Sequence, residues 1–203
     1  QGDWSSDVCS SDLAERYKQK IKTAEEIAEI VGPRPREKTV IVCHGVFDVV
    51  HPGHLRHLMF AKSKADILIA SLTADRHIAK GVYRPHVPEQ LRAMNLAAFE
   101  IVDFVVIDPN AKPLENLQII KPDLFAKGYE YTASGLPPKT QEEVETVQSF
   151  GGEVIFTPGD IVYSSSKLIE LEAPRIPMEK LLMLMQQEQF GFDDMSRALA
   201  AMA

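Results

Sequence analysis

Residues 39–62 read TVIVCHGVFDVVHPGHLRHLMFAK. Val40, Ile41 and Val42 have the continuous apolar character of a strand buried on both faces. The run ends at His44-Gly45, passes Phe47-Asp48 and reaches His51-Pro52-Gly53-His54, where an amphipathic run begins. A strand that hands over to a helix through two histidines, a proline and a glycine points to a ligand. Gly45 lets backbone approach that ligand closely. Pro52 suits an early helical position, where its missing N–H would have had no partner. Gly53 clears space between His51 and His54, which fall on one face of the first helical turn. Open N–H groups at a helix start favour an anion. Together these groups make a seat for a polyphosphate.

Working outward, strands and helices alternate. After a strand over 39–43 the pattern predicts a helix over 55–64, a strand over 65–72, a helix over 88–101 and a strand over 102–107. A short helix over 114–120, a strand over 122–128, a helix over 141–150, a strand over 153–158 and a last short helix over 165–171 complete the series. Such alternation predicts an α/β fold with a doubly wound, parallel five-stranded sheet. Sheets of this kind bind ligands at the carboxyl ends of their strands, often where strand order reverses. HGVFDVVHPGH sits at the end of the first strand, which is where a site is expected.

Ahead of the sheet, residues 14–31 read as one helix, with Tyr17, Ile21, Ala24, Ile27 and Ala28 at helical spacing and Thr23 with Glu26 forming a capping box. Gly32-Pro33 stops it, and a linker runs to residue 36. Residues 1–13, QGDWSSDVCSSDL, repeat Ser-Ser-Asp without apolar periodicity. Residues 9–13 are also what a common sequencing-adaptor tail encodes in frame, so this stretch is set apart as an artefact or a disordered tail. The sheet domain is expected over 37–172. Residues 173–203 are a linker followed by apolar helical sequence with Met178, Met183, Met185, Met195 and Met202 on packing faces. We expect it to lead into a further domain or to form a dimerisation arm, so a homodimer is possible on this reading.

Composition narrows the class. The 203 residues are 45% hydrophobic and 25% charged, with net charge −7, enough for one well-cored domain of about 130–150 residues plus appendages. That acidity argues against nucleic acid as partner, which needs a basic footprint, but leaves room for a small anionic ligand. No apolar run approaches the roughly 20 residues that cross a membrane, and the N-terminus lacks a signal-peptide pattern. Two cysteines, Cys9 and Cys43, build no disulfide framework, so a cytoplasmic location is expected. Cys43 reads as a small buried hydrophobe rather than a nucleophile.

Several residues admit plainer local readings. A histidine metal pair would need further ligands, and no HExxH or CxxC spacing accompanies it. His57 reads as surface and His44 as a strand-end backbone partner. A dehydrogenase lacks its G-x-G-x-x-G loop after the first strand.

GVFDVVHPGH resembles the G-x-F-D-x-x-H-x-G-H motif of the nucleotidyltransferase superfamily, in its cytidylyltransferase-like branch. The resemblance runs over residues 39–171. AKGVYRPHVPEQLRAM is similar to the family's lysine followed by an R-P…P…R helix, FAKGYEY to the V-K-G-G-D-Y strand end of ADP-heptose synthases, and YSSSKLIE to the last helix start. The nearest sub-branch on these motifs is the transferase half of bifunctional heptose kinase/ADP-heptose synthases, with glycerol-phosphate cytidylyltransferases more distant. The resemblance implies transfer of a nucleoside monophosphate from ATP or CTP to a phosphorylated sugar or polyol, with nucleotide-bound Mg²⁺. It implies catalytic roles for His51, His54 and Lys80, the lysine also neutralising acceptor phosphate. Arg92 would pair with the β/γ end of the triphosphate. Gly45, Val46, Phe47, Gly53, Lys127, Gly128, Tyr129 and Glu130 would line the nucleotide site, and Ser164, Ser165 and Ser166 would cap the triphosphate. Asp48 either orients the acceptor or caps the turn. Each also has a plain structural reading: Lys80 a solvated charge, Arg92 a surface ion-pair partner, the serines ordinary helix caps.

Two departures bear on specificity. Tyr129 and Glu130 stand where the heptose enzymes carry glycine and aspartate, and PGDIVY lacks the arginine of the glycerol-phosphate branch. The second favours ATP over CTP. A nucleotide-binding module without chemistry, regulating a following domain, is the other class of reading. The intact histidine pair favours the enzyme, because a sensor needs no transition-state donors.

Overall fold

A computed structural model of the chain describes residues 11–78, 84–128 and 138–157. Five strands, β1 (Val40–Gly45), β2 (Ile67–Thr73), β3 (Phe104–Asp108), β4 (Leu124–Gly128) and β5 (Glu153–Thr157), form one sheet in the order β3-β2-β1-β4-β5, with every neighbour parallel. The predicted doubly wound sheet is therefore observed. From β1 the chain steps outward to β3, then returns to lay β4 and β5 on the other side. Strand order reverses between β1 and β4.

Side-chain alternation along β1 builds both cores. Ile41 and Cys43 face one layer, where Leu58 and Ala61 of α3 (Pro52–Lys62) meet Ala93, Leu96 and Ala97 of α4 (Glu89–Ala97). Val40 and Val42 face the other, packed with Ile27 of α2 (Ala24–Val31), Leu117 and Ile120 of α5 (Leu114–Ile120), and Val147 of α6 (Pro138–Ser149). Cys43 is fully buried, and burial drives its thiol pKa far up, in keeping with a packing role.

Carboxylates tie the opposite, amino-terminal rim. Asp66 Oδ2 accepts from Thr39 N at 2.8 Å, Asp103 Oδ2 from Leu68 N at 2.7 Å, and Asp123 Oδ2 from Val40 N at 2.9 Å. Arg34 and Arg36 of the linker both pair with Asp123. These contacts fix where each strand begins.

The N-terminal helix differs from expectation. Two helices, α1 (Ser11–Lys18) and α2, replace the single helix expected over 14–31. Between them the chain extends and bridges the open edge of β3: Lys22 N donates to Val105 O at 2.9 Å, and Val105 N to Lys20 O at 2.8 Å. Unpaired strand-edge groups need partners, and that demand outweighs helical propensity here. The Thr23–Glu26 capping box is present, but it starts α2 rather than decorating a longer helix. α1 begins at Ser11, inside the stretch set apart at the N-terminus. Among the described residues no helix is long and apolar enough to cross a membrane. The helix expected over 165–171 and the segment over 173–203 lie outside the described residues.

Candidate active site

β1 delivers Gly45 to the carboxyl rim at the reversal of strand order. The next residues turn sharply, and Phe47 takes φ 51, a left-handed conformation costly for a bulky side chain. Its ring is buried, 5.1 Å between centroids from that of His54 and 3.3 Å from where a Cβ on Gly45 would stand. Glycine at 45 therefore makes room for Phe47.

His51 is the N-cap of α3. Its backbone is extended, and its Nδ1 accepts from Gly53 N at 3.1 Å, with Pro52 at the first helical position. The sequence H-P-G-H thus does three local jobs: a ring caps, a proline starts, and a glycine N–H comes within the cap's reach. Because Nδ1 accepts, the proton of neutral His51 resides on Nε2. The His54 ring stacks on His51 at 3.8 Å between centroids and 27° between planes. The expected space between the rings is closed by stacking.

Both imidazoles favour the neutral form. Burial lowers the His51 pKa. Burial first, then the neighbouring His51 and His57, push His54 down to about 3, with the Val49 backbone acting the other way. The pair stands as neutral hydrogen-bonding rings beside the positive end of a helix.

The structure buries Arg92 at the carboxyl rim. Its side chain is 0% exposed. Nε donates to Val87 O at 2.9 Å, Nη1 to Val46 O at 2.5 Å, and Nη2 to Thr73 O at 2.9 Å and Asp75 Oδ1 at 2.5 Å. The guanidinium laces the ends of β1 and β2 to the start of α4, and its donors are engaged inside the protein. It is not the surface ion pair of the plainer reading, and the phosphate role that the resemblance implies would draw on donors already bonded inside the protein.

Asp48 is bonded to the segment that enters α4. It is 2% exposed; Oδ1 accepts from His86 N at 2.8 Å and Val87 N at 3.0 Å, and Oδ2 meets Arg84 Nε at 3.1 Å. It anchors the segment entering α4, and its backbone bonds are of the capping type.

Across the reversal, β4 ends at Lys127-Gly128. The Lys127 ammonium is buried, 2.5 Å from Glu143 Oε2 of α6 and 5.4 Å from the Phe125 ring centroid. The lysine expected to line the nucleotide site is thus engaged by a carboxylate. His57 and Thr157 complete this side: His57 Nδ1 lies 3.1 Å from Thr157 Oγ1, and Thr157 Oγ1 donates to Lys127 O at 3.2 Å. His57 is half-buried and linked across the sheet, not the surface residue expected. His44 bonds hydroxyls rather than backbone, with Nδ1 2.9 Å from Ser71 Oγ and Nε2 3.3 Å from Thr73 Oγ1. Lys80, Tyr129, Glu130, Ser164, Ser165 and Ser166 lie outside the described residues.

Sequence reasoning missed Glu143, Asp75 and Thr157, because their roles come from partners 16, 17 and 100 positions away. It also missed Asp108 at the end of β3. This carboxyl is buried, and burial raises its pKa to about 6 against the bonds it accepts from Asn110. No chain spacing announces any of these.

Among the described residues, no group of three or more His, Cys, Asp or Glu side chains is arranged to hold a metal ion. The rim offers imidazoles and backbone donors, and the adjacent Asp48 carboxylate is engaged.

A parallel sheet with a stacked histidine pair on a helix N-terminus at its strand reversal defines a nucleotidyltransferase-type domain. The model of the Cytidylyltransferase-like family matches residues 42–171, and the chain belongs to that family. Among curated proteins it is 38% identical over 154 residues to the bifunctional protein HldE of Koribacter versatilis, covering 74% of this chain and 31% of that one. The corresponding protein of Syntrophotalea carbinolica is 37% identical over 141 residues, covering 68% and 28%. The chain thus spans under a third of these relatives' length. Among solved structures, a lipopolysaccharide core biosynthesis protein from Thermoplasma volcanium superposes with TM-score 0.52 at 20% identity, covering 61% of this chain and 99% of that one. A pantoate-beta-alanine ligase from Francisella tularensis gives 0.53 at 15% identity, covering 87% and 85%. Both likenesses concern the fold alone.

Proposed function

We propose that this domain transfers a nucleoside monophosphate from ATP, or from CTP, to the phosphate of a phosphorylated sugar or polyol, as an ADP-heptose synthase does. The observation that carries the reading is the His51–His54 stack on the N-terminus of α3, at the reversal of strand order. Similarity to HldE proteins supports the heptose-type acceptor and ATP.

In this reading an acceptor phosphate oxygen attacks the α-phosphorus. A new P–O bond forms, the α–β bridging bond breaks, and pyrophosphate leaves with the electron pair. Nothing in this step needs a protein nucleophile, so catalysis is positioning and charge stabilisation. His51, donating from Nε2, and His54 hold phosphate oxygens, while the helix N-terminus faces the same charge. Mg²⁺ carried by the nucleotide neutralises the triphosphate. Gly45, Val46 and Gly53 supply backbone at the rim, and Gly128 does so from β4. For Lys80, Tyr129, Glu130, Ser164, Ser165 and Ser166 the reading keeps the phosphate- and base-contacting roles that the family resemblance implies.

The test is incubation with ATP or CTP, Mg²⁺ and a panel of sugar 1-phosphates and polyol phosphates, with pyrophosphate measured. Release with ATP and a heptose 1-phosphate is expected. Absence of release with every pair, from folded protein that still binds ATP, would instead establish a binding module.

A further inference from the structure

We infer that His57 is a positioning residue for His54: by donating from Nδ1 to Thr157 it pins the second turn of α3 to the carboxyl end of β5, and so sets where the His54 imidazole stands. The inference rests on the transfer reading above.

A threonine hydroxyl has one proton. Thr157 Oγ1 donates it to the Lys127 carbonyl at 3.2 Å, so toward His57 the oxygen accepts. The 3.1 Å contact is then an Nδ1–H···O bond, which leaves Nε2 of the neutral ring without a proton. The ring is kept neutral by burial and by the Lys127 charge, which together bring its pKa down to about 4.

This bond connects α3 to β5. Leu58 and Ala61 hold α3 against the core on the β1–β2 side. Apolar packing is non-directional and leaves a helix some freedom to turn or slide. The His57 bond is directional, and it reaches over β1 and β4 to β5. It therefore straps the histidine-bearing helix to the far side of the strand reversal, the place where sheets of this kind bind ligands. His54 lies one turn earlier on the same helical face as His57, so a rotation of α3 at residue 57 displaces both rings. The acceptor end is firm: Thr157 pairs in register with Gly128, and the preceding Lys127 is held by Glu143.

Three variants test this. His57→Phe keeps a ring but removes the donor, His57→Asn keeps an N–H near the place of Nδ1, and Thr157→Val removes the acceptor. With ATP, Mg²⁺ and a heptose 1-phosphate, His57→Phe and Thr157→Val are each expected to lower kcat roughly tenfold, with KM for ATP changed less than about twofold. The double variant should be no slower than either single one, because both remove one bond, and His57→Asn should recover most of the rate. An unchanged kcat in both single variants overturns the inference. So does a His57→Asn enzyme as slow as His57→Phe while both melt like the parent. If His57→Phe does not fold, Thr157→Val and His57→Asn carry the test. If the parent protein transfers nothing, the transfer reading falls, and positioning is read from the nitrogen resonances of His54. Those should shift in Thr157→Val, and unchanged resonances would refute the positioning role independently.

Discussion

The carboxyl rim of this sheet contains two kinds of polar group, built in opposite ways. Around Arg92 and Lys127, charge is buried and matched: a guanidinium meets Asp75 and three carbonyls, and an ammonium meets Glu143. Around His51 and His54, charge is avoided: two stacked rings are held neutral at the start of a helix. The difference separates charges already satisfied inside the protein from rings kept uncharged at the rim. A cation already paired inside the protein has little left to offer a phosphate. A neutral imidazole retains hydrogen-bonding capacity and gains proton affinity as an anion approaches.

The sharpest way to break that contrast is to remove one member of each region. His54→Ala is expected to cut turnover by roughly two to three orders of magnitude, the range for one charge-stabilising donor, while stability changes by less than about 1 kcal/mol. Steady-state pyrophosphate release alongside thermal unfolding measures both. Unchanged turnover would take His54 out of the mechanism. Arg92→Met should do the reverse, lowering unfolding free energy in urea by about 2–3 kcal/mol, because it orphans buried carbonyls and a carboxylate. Full stability with lost activity in that variant would return Arg92 to the phosphate.

Acid sharpens the comparison further. His54 and His57 have folded pKa values near 3 and 4, below the ordinary 6.5, so between those values the unfolded chain binds more protons. Stability they allow in full above pH 6.5 is lost as pH falls toward 4 and then 3. Asp108 works with the opposite sign. Its folded pKa of about 6 exceeds the ordinary 3.8, so its contribution is full below 3.8 and disappears as pH rises through 6. Urea midpoints from pH 7 to pH 4 should therefore fall more steeply in Asp108→Asn than in the parent, and equal slopes would contradict this account.

The smallest effect concerns ligand and proton together. An anion on the histidine pair raises its proton affinity, so ATP binding near pH 5.5 should take up a fraction of a proton, and near pH 8 none. Calorimetry in two buffers of different ionisation enthalpy reads this directly. Uptake that persists in His54→Ala would have to come from another group.

Much of this was legible before folding. The apolar run at residues 40–42, the alternation of strand and helix, and the H-P-G-H handover are local patterns, and the sheet and the N-cap at His51 follow them. Boundaries moved by a few residues, as at α3, which starts at Pro52 because Pro-Gly is already helical there. What the sequence left hidden shares one cause. Arg92, Lys127 and His57 look like surface or ligand groups when only their neighbours in sequence are seen, yet their partners lie on other elements. The break between α1 and α2 belongs to the same class, since Ile21 leaves a helical pattern to cover a strand edge that exists only once β3 is placed.

By itself the sequence determined the periodicities, and through them a parallel sheet with two histidines at the head of its first helix, because propensity and spacing act over a few residues. Only the tertiary structure decided which of the rim's polar groups are already satisfied. Burial and pairing are set by what packs opposite, and a side chain's charge says nothing about its partner until the chain has closed around it.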